Sequence, residues 1–156
     1  MSKAIINKLI RYALGLLQIF VGITAVLGGF GLVSDPSGTK MNVPLELLKN
    51  SPFTNYLIPG LVLLIVIGVG HVFAGIVAFL RHRYAGNISV FFGAFLALYM
   101  ITEVWFIGLV NFSQPLYFIL GAVELIFGLK LSKGGKTDHQ IWIQSTRGAY
   151  SDDSVQ

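Results

Sequence analysis

Long stretches of apolar residues, separated by short polar connections, make up most of the chain. Four of these runs are each long enough to cross a hydrocarbon layer about 30 Å thick, which takes about 20 helical residues. They cover approximately residues 12–33, 57–80, 87–110 and 115–131. The pattern predicts an all-α integral membrane protein, with an antiparallel, left-handed bundle of four transmembrane helices over residues 1–131.

The connections between the runs differ in length and composition. The first, residues 34–56, contains three of the five prolines, whereas the other two connections are only a few residues long. Pro44 suits the first turn of a short helix through "PLELLK". We expect this helix to lie at the outer membrane surface, where it either connects the spans or covers a cavity. The polar, glycine-bearing residues 132–156 predict a flexible cytoplasmic tail.

Composition supports a membrane location. Hydrophobic residues make up 54% of the chain and charged residues only 12%, whereas about a quarter of an ordinary soluble domain is charged. The first apolar run follows a basic segment, but it is longer than the apolar region of a secretory signal and no cleavage motif follows it, so we expect a permanent helix. The chain has no cysteine, which excludes disulfides, thiolate metal sites and thiol redox catalysis.

The basic residues indicate topology. All but two of the eleven Lys and Arg residues lie in the N-terminal segment, in the second connection, or at the end of the last run and beyond it. Cytoplasmic loops carry an excess of positive charge, so both termini are predicted to face the cytoplasm, with the chain spanning the cell membrane. The bilayer is then the expected partner. Nucleic acid is not, because the basic residues are scattered along membrane edges without a binding motif.

Glycines recur at seven-residue intervals in all four runs. The pairs are Gly15 and Gly22, Gly68 and Gly75, Gly86 and Gly93, and Gly121 and Gly128. A small residue at this spacing keeps one helix face thin, so that neighbouring backbones approach closely and supercoil with a left hand. These glycines are therefore the predicted helix-packing residues.

A polar residue follows the first glycine of each pair by three positions. These residues are Gln18, His71, Ser89 and Glu124. The spacing places each on the glycine-bearing face, and a rise of 1.5 Å per residue puts them at similar depths, about 10 Å from the cytoplasmic ends. The sequence therefore predicts one polar layer inside the bundle.

Glu124 is the strongest candidate for a functional residue in this layer. An ionised carboxylate at the centre of a bilayer costs at least about 2.5 kcal/mol, so an acid there is a functional candidate by default. His71 would be its proton-exchanging partner. The alternative is a protonated Glu124 that joins helices through hydrogen bonds worth about 0.6–2 kcal/mol each, with His71 a neutral, satisfied histidine.

Glu103 lies apart from this layer, about 10 Å from the outer surface by the same rise. It is either a second polar site or the outer end of a path. A metal site formed by His71, Glu103 and Glu124 is disfavoured by the difference in depth between the two acids, and no metal is predicted.

The sequence contains no hydrolase or nucleotide-binding signature, so a non-enzymatic role is favoured. No cofactor is required, although the Phe-rich segment "VFFGAFLALYM" suits stacking of a quinone.

Three segments carry a family resemblance: "RYALGLLQIFVGITAVLGG" in the first run, "GHVFAGIVAFLRHRYAG" in the second, and "LGAVELIFGLKL" in the last. In these the chain resembles the DoxX-like group of small bacterial four-helix membrane proteins. The resemblance covers most of residues 11–131. It implies a protein of the cytoplasmic membrane that, in some members, is associated with oxidoreductase complexes or quinone-linked chemistry.

Three functions remain open at this point. The first is an accessory membrane protein whose polar layer binds a small amphipathic molecule, such as a quinone or lipid, or a proton. The second is a proton-coupled transporter that works as a homo-oligomer, with Glu103 and Glu124 as its outer and inner stations. The third is a structural or assembly subunit of a larger membrane oxidoreductase complex.

Overall fold

The computed structural model describes the backbone of residues 3–152 and the side chains of residues 5–133. This part of the chain is helical and contains four helices long and apolar enough to cross a membrane, at Ile5–Ser34, Leu57–Phe79, Ala85–Ile107 and Ser113–Lys133. The prediction of an all-helical fold with four membrane-length helices is confirmed, and these helices are consistent with a multi-pass membrane protein. The left-handed supercoil and the cytoplasmic location of both termini stay predictions.

The helices have the following bounds. They are α1 (Lys3–Ser34), α2 (Leu57–Leu61), a π-helical segment (Val62–Val69), α3 (Gly70–Phe79), α4 (Ala85–Ile107) and α5 (Ser113–Asp152). The π segment joins α2 and α3 into one continuous span, Leu57–Phe79. Two short 3₁₀ helices, Thr39–Met41 and Leu45–Asn50, lie in the first connection, and the second coincides with the short helix predicted there.

Three helix ends differ from the predicted runs by more than two residues, and the first of these is the start of α1, at Lys3 rather than at residue 12. The third span, α4, ends at Ile107 rather than at residue 110, because Gly108 takes φ 77° and terminates the helix. This left-handed conformation suits glycine. At the other extreme, α5 continues to Asp152. The flexibility and location predicted for residues 132–156 stay predictions, since the side chains beyond residue 133 lie outside the described part.

Glycine seams join the helices into two hairpins. A Cβ added at Gly75 would lie 2.9 Å from the carbonyl oxygen of Gly15, and one at Gly22 would lie 2.9 Å from that of Gly68. Residue numbers rise along α1 as they fall along the second span, so the two run in opposite directions. The first hairpin is therefore packed backbone against backbone.

The same arrangement joins α4 to α5. A Cβ at Gly93 would lie 2.8 Å from the carbonyl oxygen of Gly121, and one at Gly128 would lie 2.9 Å from that of Gly86. Real Cβ atoms are not found at such distances, so the seam requires glycine. Close backbone approach of this kind is how membrane helices gain van der Waals contact. The seven-residue spacing thus corresponds to two pairs of facing seams.

An apolar cluster fills the bundle on the side of the polar layer nearer the first connection. It consists of Val21, Ala25, Ile67, Leu96 and Met100, and Tyr99, Tyr117 and Leu120 are among the residues packed against it. We call the five buried residues the apolar plug. Outward-facing positions are also apolar, including Leu16 at 65% and Trp105 at 82% exposure, as expected of a surface that lipid covers.

The first connection is folded by hydrogen bonds at both of its ends. The Asp35 carboxylate accepts hydrogen bonds from the Ser37 hydroxyl at 2.6 Å and the Lys40 amide at 2.8 Å, and the Ser37 bond foremost lowers the pKa of Asp35. Tyr56 donates its amide hydrogen to the Pro36 carbonyl and its hydroxyl hydrogen to the Pro44 carbonyl, both at 2.9 Å. The connection therefore forms an ordered cap at this end of the bundle.

Candidate functional site

The four polar residues predicted to form a layer are all completely buried. Gln18, His71, Ser89 and Glu124 each have 0% exposure. Two of them meet between α3 and α5, where His71 Nε2 lies 3.3 Å from Glu124 Oε2. This is longer than an ordinary N–H···O hydrogen bond of about 2.9 Å, and neither Nε2 nor either carboxylate oxygen of Glu124 has a hydrogen-bond partner among the described residues. An acid and a histidine therefore face each other in the interior.

The second nitrogen of His71 fixes what the first can do. Nδ1 lies 2.7 Å from the carbonyl oxygen of Ile67, which can only accept a hydrogen bond, so Nδ1 carries a hydrogen. In a neutral imidazole, Nε2 then has a lone pair and lies 3.3 Å from Glu124 Oε2. Without a further proton this lone pair would face an ionised carboxylate, and two acceptors would repel each other in a buried site.

The π segment contributes to this geometry. Ile67 belongs to it, and His71 is the second residue of α3. A π turn holds an extra residue relative to an α turn, so it rotates the following helix by about 100° relative to an uninterrupted α-helix. Such segments are rare and frequent at functional sites. The sequence reasoning did not predict this segment, and the local sequence carries no strong signal for it.

Gly93 brings α4 against the stem of Glu124. A Cβ at this position would lie 2.9 Å from Glu124 Cβ and 2.7 Å from the Leu125 amide nitrogen. The helix that carries the acid is therefore held at backbone distance from α4. The close helix packing at Gly93 and the buried carboxyl group of Glu124 therefore lie at the same level of the bundle.

Gln18 and Ser89 differ in their hydrogen bonding. The Ser89 hydroxyl donates to the Ala85 carbonyl one helical turn back, at 2.8 Å, so its hydrogen is satisfied. Both side-chain atoms of Gln18 that can form hydrogen bonds, Nε2 and Oε1, are buried without a partner among the described residues. An unpaired buried polar group costs about 1–3 kcal/mol, so the layer holds an unused donor and an unused acceptor.

Glu103 lies outside this layer and has a different partner. Its Oε1 accepts a hydrogen bond from Gln114 Nε2 at 3.1 Å. Gln114 is 2% exposed. Its Nε2 also donates to the Gly108 carbonyl, and its Oε1 accepts from the Val110 and Asn111 amides. Gln114 therefore ties the α4–α5 turn to Glu103.

Sequence reasoning missed Gln114. Its role depends on how the chain turns after Gly108, which hydrophobic periodicity does not report. The one available signal is its position in "NFSQP", where a polar residue starts a membrane-length helix. Side chains at that position are placed to satisfy free backbone amides.

A cavity of about 490 Å³ lies beside Glu103, between the folded connection and the ends of the helices. Its wall is mostly apolar and includes aromatic side chains. The residues that line it include Val43, Phe53, Tyr56, Tyr99, Thr102, Phe106 and Gln114. Burial raises the pKa of Tyr56, and the charges of Glu103 and Glu46 add to this effect. The connection thus covers a cavity, one of the two roles expected for it.

The two polar sites are separate. Gln114 and Glu124 lie ten residues apart on α5, which is about 15 Å along the helix. The apolar plug occupies the bundle interior between these levels. Among the described residues, no group of three His, Cys, Asp or Glu side chains is placed to hold a metal ion.

Comparisons with known proteins give no further guidance on the site. No family model matches the chain, and neither the curated proteins nor the solved structures include a significant match to it. Its function is therefore argued from the geometry.

Proposed function

We propose that the chain is a small accessory protein of the cytoplasmic membrane, DoxX-like in type, whose interior polar layer binds and releases a proton. The observation that carries the proposal is the placement of His71 Nε2 at 3.3 Å from Glu124 Oε2, with Nδ1 already bonded to Ile67. Glu124 and His71 share the proton, and Gln18 is the orienting amide. Both termini face the cytoplasm in this proposal.

The proximity of two buried, unpaired groups, His71 Nε2 and the Glu124 carboxyl, supports a site for one proton. If the pair is neutral, a protonated Glu124 donates to Nε2. If it is charged, the imidazolium donates from Nε2 to the carboxylate. In both cases one hydrogen would lie between the two atoms, and its removal would leave two opposed acceptors at a fully buried position. Loss of the proton therefore requires rearrangement, for which the unpaired Gln18 amide is the available donor.

Burial favours a proton over a larger ligand at this level. The four side chains of the layer have 0% exposure, so a quinone ring or lipid headgroup would have to separate helices joined by glycine seams. A proton needs no such space. The Gln18 donor would suit a quinone carbonyl if the helices did open.

Infrared difference spectroscopy of the chain in nanodiscs tests this function directly. We expect titration from about pH 4 to about pH 10 to change carboxyl or imidazole bands, and ¹³C labelling of glutamate to shift the carboxyl component. The Glu124→Gln variant should lose this component. Glu46→Gln, at an exposed position in the connection, should retain it. Identical difference spectra for the parent and Glu124→Gln would refute the proposal.

A proton-coupled transporter that works as a homo-oligomer is the second candidate. The presence of two acids at different levels, Glu103 at the cavity and Glu124 in the layer, favours it. The apolar plug would then have to open during transport. Subunit counting in nanodiscs and acid-jump proton flux in proteoliposomes distinguish the two functions, because a monomer without flux excludes transport.

A further inference from the structure

The cavity at the connection end of the bundle combines an apolar wall with one carboxylate. Among the described residues that line it, Glu103 is the single acid and none is Lys, Arg or His. Its volume of about 490 Å³ is within the range of small-molecule sites, about 300–1,000 Å³. It is independent of the polar layer, from which the apolar plug separates it.

Glu103 is held in place with an oxygen unused. Gln114 donates to Oε1 at 3.1 Å, and Gln114 is itself fixed by two backbone amides and one carbonyl. Oε2 forms no hydrogen bond with the described residues, and this oxygen is not fully buried. It is therefore an oriented acceptor that a ligand can reach.

Three hydroxyl groups in the same wall donate to backbone carbonyls rather than to Glu103. Tyr56 donates to the Pro44 carbonyl at 2.9 Å, and Tyr99 donates to the Pro59 carbonyl at 3.4 Å. Thr102 donates to the Leu98 carbonyl at 2.9 Å. With these hydrogens committed to the backbone, the carboxylate offers negative charge without a matching positive group.

We propose that this cavity binds an amphipathic molecule that carries one ammonium group on an apolar body. The ammonium donates to Glu103 Oε2, and charge-assisted bonds of this type are about twice as strong as neutral ones. The aromatic rings of Phe53, Tyr56, Tyr99 and Phe106, which line the cavity, provide apolar contact and attraction for the cation. The same chemistry is presented by a free lipophilic amine and by the ethanolamine headgroup of a phospholipid.

Equilibrium dialysis of 4-phenylbutylamine against the full chain in phosphatidylcholine nanodiscs, with empty nanodiscs subtracted, tests the proposal. We expect saturable binding of the amine, with affinity at least about tenfold above that of 4-phenylbutanol and 4-phenylbutyrate. Glu103→Gln should lower amine affinity by about tenfold or more. Glu46→Gln changes the net charge equally at an exposed position of the first connection, outside the cavity lining, and should leave affinity within about twofold.

A second variant covers the case in which Glu103→Gln fails to fold. Val43→Phe adds volume to the cavity wall from the connection without altering a membrane helix, and it should abolish amine binding while the chain stays monodisperse. Equal binding of amine and alcohol, or unchanged amine affinity in Glu103→Gln, would overturn the proposal. So would a parent chain that binds no amine and copurifies with no ethanolamine lipid.

Lipid analysis distinguishes the two sources of the ammonium group. If the natural occupant is a phospholipid, chain purified from membranes should retain about one ethanolamine lipid that Glu103→Gln lacks and that added amine displaces. If it is a free amine, the parent and the variant should retain the same lipids while differing in dialysis. Both results support the same site chemistry.

Discussion

His71 on α3 and Glu124 on α5 face each other across the bundle, with Nε2 and Oε2 3.3 Å apart. Both side chains are excluded from solvent. Because Nδ1 is bonded to the Ile67 carbonyl, His71 cannot turn its second nitrogen to Glu124 without breaking that bond. The pair therefore couples two helices that belong to different hairpins.

A double-mutant cycle should detect this coupling. His71→Leu leaves the Glu124 carboxyl buried without a partner, and Glu124→Leu leaves Nε2 without one, so each should destabilise the fold by about 1–3 kcal/mol. The double variant should cost clearly less than the sum, because it removes both polar groups. Reversible unfolding in mixed micelles measures the four free energies. Strict additivity would show that the two groups do not interact.

Glycine replacements should separate seam positions from tolerant ones. A Cβ at Gly93 would meet the Leu125 amide nitrogen at 2.7 Å and the stem of Glu124, so Gly93→Ala should destabilise the fold by about 1–3 kcal/mol. Gly28→Ala is the matched control, since its Cβ would meet only Leu63 Cδ2, at 3.5 Å. This change should be neutral or stabilising by up to about 1 kcal/mol. Equal unfolding free energies for the two variants would contradict the seam.

The folded connection should loosen in acid through Asp35. Hydrogen bonds from Ser37 and the Lys40 amide favour the ionised carboxylate and lower the pKa of Asp35 in the folded state. The stabilisation is therefore complete above the unfolded pKa, about 3.9, and is lost as pH falls through the lower folded value. Hydrogen exchange should show a falling protection factor for the Lys40 amide in this acid range.

Asp35→Asn provides the control for this pH dependence. An uncharged amide at this position cannot titrate, so its protection factor for the Lys40 amide should be lower at neutral pH and nearly constant in acid. A parent chain whose Lys40 protection is unchanged between neutral and acidic pH would contradict the assignment.

The sequence was sufficient for the spans because span length and apolar composition are set by the bilayer. The glycine spacing was also informative: Gly93 and Gly121 lie against each other's backbones, and the polar residue three positions after Gly121 is buried beside them. These relationships are local along one helix, so periodicity reports them. The end of α4 was placed too late because the conformation of Gly108 is not encoded by hydropathy.

The remaining features depend on contacts between distant parts of the chain. The Glu103–Gln114 bond requires the turn after α4, and the cavity requires the connection to fold back over the helix ends. Neither contact produces a periodic pattern of hydrophobic and polar residues in the sequence. The π segment at Val62–Val69 shifts the face that His71 presents, and its sequence "VLLIVIGV" is equally compatible with an ordinary α-helix.

Two buried glutamines with opposite hydrogen-bond states give the sharpest contrast between stability and function. Gln18 is fully buried with both amide atoms unpaired, so Gln18→Leu should be neutral or stabilising by about 1–3 kcal/mol, since it removes an unsatisfied group. Gln114 makes four hydrogen bonds, so the same substitution there should destabilise the fold by a comparable amount or more. Reversible unfolding in micelles measures the free energy of unfolding of both variants.

If Gln18 orients the proton-binding pair, Gln18→Leu should also change the pH-dependent infrared bands of Glu124. The free energy of unfolding should not fall, as expected where stability and function conflict. A destabilised Gln18→Leu chain with unaltered bands would instead make Gln18 a packing residue.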